Sequence, residues 1–145
     1  MVRILFVIAS LLLFISCNGP TEEDDCSTIS SGKAVELITP TGGESFTIGD
    51  RVPVKWKVDT DIIQTQVSLK VSLNGSSGPF LNIFDRGIYV PSEEGGVVCM
   101  DTTWTVGQEY DGVNYSGSQT VNLQVGKYNE EADLSDISGM ITINE

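Results

Sequence analysis

The sequence predicts an all-β domain, an antiparallel sandwich of about seven strands, placed behind an export signal. Three observations predict it. Arg51 to Val58 sets Val52, Val54, Trp56 and Val58 on one face against Arg51, Lys55 and Lys57 on the other, the period of a half-buried strand. Gln64 to Leu73 and Gln119 to Tyr128 repeat that alternation. Gly, Asn, Asp, Ser and Pro punctuate the chain between these segments, and no segment of the body holds a convincing helical period.

The first element is the amino terminus. Met1-Val2-Arg3 is a short basic region, and Ile4 to Ile15 is almost wholly apolar. An apolar run of about a dozen residues is too short to cross a bilayer and fits the core of a secretory signal. It ends Phe14-Ile15-Ser16-Cys17. That ending resembles a bacterial lipobox, with Phe14 where Leu is usual. The resemblance implies cleavage before Cys17 and acylation of that residue, which buried methylenes would turn into stable membrane anchoring. Residues 1–16 are therefore read as a lipoprotein signal peptide and 17–33 as an acidic, Ser-rich tether. Glu22-Glu23-Asp24-Asp25 supplies the acidity. A solvated spacer accounts for such a run. It also resembles the surface-export signals of Bacteroidota lipoproteins, and Asn18 is similar to outer-membrane rather than inner-membrane sorting. These readings imply an outer-membrane, lipid-anchored and surface-exposed protein.

The chain has 145 residues and a net charge of −12, and removal of Arg3 with the signal takes it to −13. The remainder suits one small core. Its charge repels nucleic acid. There is no His. That excludes Ser-His-Asp and Cys-His catalysis and removes the commonest zinc ligand.

With Cys17 assigned to lipid, Cys26 and Cys99 form an even pair in an oxidising compartment. A bridge between them would tie the tether to a strand. The alternative is two unpaired thiols, with Cys99 buried as a small hydrophobe.

The body, residues 34–145, follows. Ser27 to Lys33 reads as linker and Ala34 to Ile38 as a first strand. Gly42-Gly43 and Gly49-Asp50 mark turns before the strand Arg51 to Val58. Gln64 to Leu73 turns Val67, Leu69, Val71 and Leu73 inward and ends at Asn74-Gly75, a strong hairpin signal. Phe80 to Phe84 and Ile88 to Val90 are short strands, and Val97 to Val106 is a longer one carrying Trp104. Gly107 to Gly117 is a polar loop. Gln119 to Tyr128 turns Val121, Leu123 and Val125 inward. Asn129 to Asp136 is an acidic loop, the Ile137 region has room for a helical turn, and Ser138 to Asn144 closes the chain with Ile141 and Ile143 inward.

Pro40-Thr41-Gly42-Gly43-Glu44, then Phe46, Gly49 and Val54-Lys55-Trp56, resembles a Pro-x-Gly-Gly-Glu-x-aromatic…Gly…apolar-x-Trp pattern. Thr102 to Val106, Val121 to Val125, Asp133 to Asp136 and Met140 to Ile143 resemble its later pieces. The pattern is that of the Ig-like domain of Ser-Thr-rich, GPI-anchored membrane proteins, similar to the amino-terminal domain of yeast cell-wall β-1,6-glucan assembly proteins. Gly107 departs from the Pro usual after Trp-x-Val. The resemblance implies an Ig-like sandwich in a cell-envelope protein and brings no catalytic residues.

Trp56 and Trp104 fall at inward positions and are assigned to the core. Exposed aromatics are the usual platform for sugar rings. Tyr110 and Tyr115 in the long loop, then Tyr89, are the glycan candidates. Asp133, Ser135 and Asp136, with Glu130 or Glu131, are the candidate oxygen ligands for Ca2+, against a solvated acidic turn. Paired carboxylates such as Glu93 and Glu94 are the kind glycoside hydrolysis uses, but adjacent acids in a Gly-rich loop read as solvated. Asp101-Thr102-Thr103 resembles a Bacteroidota O-glycosylation acceptor. The expectation is a module without a cofactor that acts by binding or spacing and not by catalysis. Its expected partners are its membrane and a cell-surface glycan or envelope protein. The alternative is a carbohydrate-binding accessory lipoprotein.

Overall fold

The computed structural model describes residues 26–73, 75–91, 95–107, 119–129 and 134–145. Among them are ten strands: β1 Val35–Thr39, β2 Ser45–Thr47, β3 Arg51–Asp59, β4 Gln66–Ser72, β5 Leu81–Asn82, β6 Ile88–Tyr89, β7 Val97–Thr105, β8 Gln119–Lys127, β9 Ser135–Ile137 and β10 Ile141–Asn144. They form two sheets. Sheet 1 has the order β1-β3-β7, and sheet 2 the order β2-β10-β8-β4-β5, with β6 also on β4 and β9 also on β8.

The alternation seen in the sequence decides which face each strand buries. In β3, Val52, Val54, Trp56 and Val58 are buried, while Arg51, Pro53 and Lys55 are exposed. β7 lies antiparallel along all of β3, from Arg51 opposite Thr105 to Asp59 opposite Val97. Trp104 therefore sits beside Val52 on the inward face. Both indoles are fully buried, as assigned from the sequence. Val67, Leu69 and Val71 of β4 and Val121, Leu123 and Val125 of β8 complete the facing layer. Leu73 lies just past β4 and packs half-buried on the core.

Two strands are additions to the sequence reading. β2 is a three-residue strand parallel to β10, with Phe46 opposite Ile143. β9 occupies the Ile137 region, where the sequence left room for a helical turn, and takes Ser135 and Asp136 out of the acidic loop. The cause lies in β8. Its edge is covered by β10 only at Gln119–Val121, so Gln124–Gly126 would be left with open hydrogen-bonding groups. β9 pairs there, with Ser135 opposite Gly126 and Ile137 opposite Gln124.

The outer side of sheet 2 also departs from simple alternation. Ser68, Ser72, Asn122 and Gln124 are buried although they face away from the core. Most of their polar atoms find partners, Asn122 Oδ1 being the exception. Ser72 Oγ donates to Gly75 O at 2.7 Å, Asn122 Nδ2 to Ser138 O at 2.9 Å and Gln124 Nε2 to Ser135 Oγ at 2.9 Å. Such bonding is what allows polar side chains to be buried.

The Pro40–Glu44 segment carries the chain from sheet 1 to sheet 2. Glu44 organises it: its carboxylate accepts from the N–H of Thr41 at 2.8 Å and of Gly42 at 2.7 Å. The turn then docks on Ser138-Gly139-Met140. Gly139 N–H donates to Thr41 O at 2.7 Å, and Gly43 N–H donates to Met140 O at 2.6 Å. Gly42 has φ of 119°, and a Cβ there would fall 2.5 Å from the Gly139 Cα. Only glycine fits that approach. The Gly-Gly-Glu motif is thus a strand-switching clasp that meets the end of the chain.

Candidate functional site

The arm ahead of β1 is fastened, although Ser27 to Lys33 read as linker. Cys26 is bridged to Cys99, with 5.3 Å between their Cα atoms and a sequence separation of 73. Cys99 lies opposite Lys57 and points outward, since Trp104 and its inward neighbours take the other face. The bridge therefore lies on the outer side of sheet 1. Cys99 is exposed. The expected bridge is present, and the alternative of two unpaired thiols with Cys99 buried is excluded: the nine residue pairs of β3 with β7 place odd-numbered residues of β7 outside.

Polar contacts hold the rest of the arm. Ser30 Oγ and N–H both donate to the Glu36 carboxylate. The Ser30 hydroxyl, opposed by slight burial and helped by Lys57 and Lys33 nearby, holds the Glu36 carboxyl below its ordinary value. Lys33 Nζ lies 2.9 Å from Asp136 Oδ1, and Leu37 N–H donates to Asp136 Oδ2 at 2.8 Å. Asp136 thus ties β1 of sheet 1 to β9 of sheet 2.

That arrangement bears on the calcium candidates. Both Asp136 oxygens serve the arm and β1, and Ser135 Oγ accepts from Gln124. Among the described residues no group of three or more His, Cys, Asp or Glu could hold a metal ion. Asp133, Glu130 and Glu131 lie outside the described residues, as do Cys17, Tyr110, Tyr115, Glu93 and Glu94.

Tyr89 is 68% exposed at the end of β6. The register places Tyr89 opposite Gln66. Tyr128 reaches Gln66 from the other side, its N–H donating to Gln66 O at 2.9 Å. Val67 and Val125 point inward, so Gln66, Tyr89 and Tyr128 form a cross-strand row on the outer face of sheet 2. Gly87 fits under this row: a Cβ there would lie 2.8 Å from Gln66 Cβ and 2.9 Å from Tyr128 Cγ. Lys70 stands farther along the same face. Reading the sequence alone passed over Gln66 and Tyr128, because they are 62 positions apart and only register joins them.

Thr102, the candidate O-glycosylation acceptor, pairs with the buried Val54 and shares its inward face. Asp101 and Thr103 are the exposed members of that triplet. The fold thus leaves the acceptor half-buried on the inward-facing side of β7.

Two packed sheets with β1 in one, β2 beside the last strand in the other, and this strand order make the domain an Ig-like β-sandwich. Among solved structures the chain is similar to one described as "Structures of Clostridium thermocellum CbhA fibronectin(III)-like modules". The identity is 14% over 76% of this chain and 92% of that one, with a TM-score of 0.28. No family model and no curated protein matches the chain.

Proposed function

We propose that this protein is a lipid-anchored Ig-like module of the bacterial outer membrane, exposed at the surface and acting by binding or spacing without catalysis. The observation that carries the reading is the cysteine count. Three cysteines are present, and the Cys26–Cys99 bridge uses two. A structural disulfide belongs to an oxidising compartment, which agrees with export. It leaves Cys17, at the lipobox-like junction, as the one thiol available for acylation. The envelope setting implied by the resemblance to yeast cell-wall assembly proteins points the same way. Metabolic labelling with a fatty-acid analogue tests this. Wild type should carry label and sediment with membranes, and Cys17→Ala should lose both. Label retained by Cys17→Ala would overturn the reading.

A second reading is favoured by the Tyr89–Gln66–Tyr128 row. Two aromatic rings flanking an amide supply a stacking surface and hydrogen-bonding groups, the combination that recognises a sugar ring. In this reading the module captures a polysaccharide on the outer face of sheet 2. Affinity electrophoresis through polysaccharide gels, with the soluble Cys17→Ser form and its Tyr89→Ala derivative, tests it. Equal mobility of the two proteins in every gel would eliminate the row as a glycan site.

A further inference from the structure

We propose that the outer face of sheet 1 is the side this module turns toward its own membrane, and that the Cys26–Cys99 bridge sets that orientation. The proposal rests on the lipid-anchor reading. Without a bridge, and once the weak, exposed contacts of Ser30 and Lys33 let go, the tether would run from Cys17 to Val35 at the start of β1. That is 18 residue steps, or about 60 Å fully extended. With the bridge, the chain is pinned at Cys26 to the outer side of sheet 1. Only nine steps then separate the lipid from the domain, about 30 Å at full extension.

That reach favours one face. Laying sheet 1 on the bilayer requires a span of only a few ångströms from Cys26. Laying sheet 2 there requires the tether to run past the whole sandwich. Two sheets about 10 Å apart, with side chains on both outer sides, are roughly 20–25 Å thick. The nine-step tether would have to stretch close to its limit, whereas an 18-step tether would not.

Charge permits that orientation. Arg51, Lys55 and Lys57, three of the chain's eight basic residues, occur on the outer side of β3, with Asp101 and Glu36 beside them on the neighbouring strands. With Asp59 also on that side of β3, the face is close to neutral, so an anionic headgroup layer does not repel it even though the molecule carries a net charge of −12. The opposite face, with Tyr89, Gln66, Lys70 and Tyr128, is then presented to the medium.

Native lysines report the orientation. Lipidated full-length protein is reconstituted on phosphatidylethanolamine–phosphatidylglycerol vesicles and treated with a water-soluble acylating ester. Reaction at each lysine is read by peptide mass spectrometry, against the soluble Cys17→Ser form. Lys55 and Lys57 should react several-fold more slowly on vesicles than in solution, and Lys70 should be unchanged. Two variants should abolish the contrast. One is Cys26→Ser/Cys99→Ser. The other inserts ten Gly/Ser residues between Pro20 and Thr21, which lengthens the tether and leaves the bridge and the folded domain intact. Slowing at Lys70 equal to that at Lys55 and Lys57, or contrast that survives the insertion, would overturn the orientation. An absence of acyl mass on Cys17 would instead remove the lipid anchor itself, and the orientation with it.

Discussion

Replacing both bridged cysteines, Cys26→Ser with Cys99→Ser, should lower stability by roughly 2–4 kcal/mol, and the behaviour of the arm sets the position within that range. The bridge spans 73 positions. Loop-closure entropy for that span removes about 4 kcal/mol of freedom from the unfolded chain. If the arm stays seated through Ser30–Glu36 and Lys33–Asp136, the full loss appears. Both contacts are solvent-exposed and individually weak. If the arm lifts off, the folded variant regains the freedom of about nine residues, roughly 2.5 kcal/mol by the same relation, and the net loss falls to about 2 kcal/mol. At about 4 °C per kcal/mol for a domain of this size, the melting temperature should drop by roughly 8–16 °C. Tryptophan emission is the natural probe, because Trp56 and Trp104 are both fully buried. The comparison is made without reductant, after alkylation confirms that the wild-type thiols are blocked. A drop below about 3 °C lies outside both limits and would refute the reasoning.

Trp56→Ala should cost about 3–5 kcal/mol, read as a lower urea midpoint, because it empties a fully buried site between the sheets. Gly42→Ala should cost roughly 2–5 kcal/mol in the same assay. Its Cβ meets the Gly139 backbone, and its φ of 119° strains any L side chain. Burial pushes the Glu44 carboxyl up, but hydrogen bonds from its own backbone, Thr41 and Gly42 outweigh that and hold it below its ordinary value. A lowered carboxyl contributes stability above its unfolded pKa and loses it as pH falls through the folded one. The urea midpoint should therefore decline between about pH 5 and pH 3, and Glu44→Gln should show a shallower decline.

The strand alternation in Arg51 to Val58 and Gln119 to Tyr128 is a local property, so both strands and their inward faces were legible in the sequence, whereas the burial of Asn122 and Gln124 on the other side of β8 was not. Trp56 and Trp104 followed from the same parity. The resemblance around Pro40 to Trp56 marked a conspicuous turn but gave it no task. The task lies in Gly139 and Met140, nearly a hundred positions later, which receive the turn. β2 and β9 are three residues each, too short to show a period, and they exist because β10 and β8 offer open edges.

What the sequence determined by itself is therefore the all-β class, the inward faces of the long strands and the cysteine arithmetic. What only the tertiary structure decided is which distant residues are neighbours. Asp136, read as a calcium ligand candidate, became a clasp between sheets once Lys33 and Leu37 were beside it. Tyr89 gained Gln66 and Tyr128 through β4. Cys99 moved to the outer face, and with it the tether's point of attachment. The physical reason is one of range. Alternation is fixed within a few residues by the pleat, whereas a site on a sheet face is built across strands, by a register that hydrogen bonds between remote segments set.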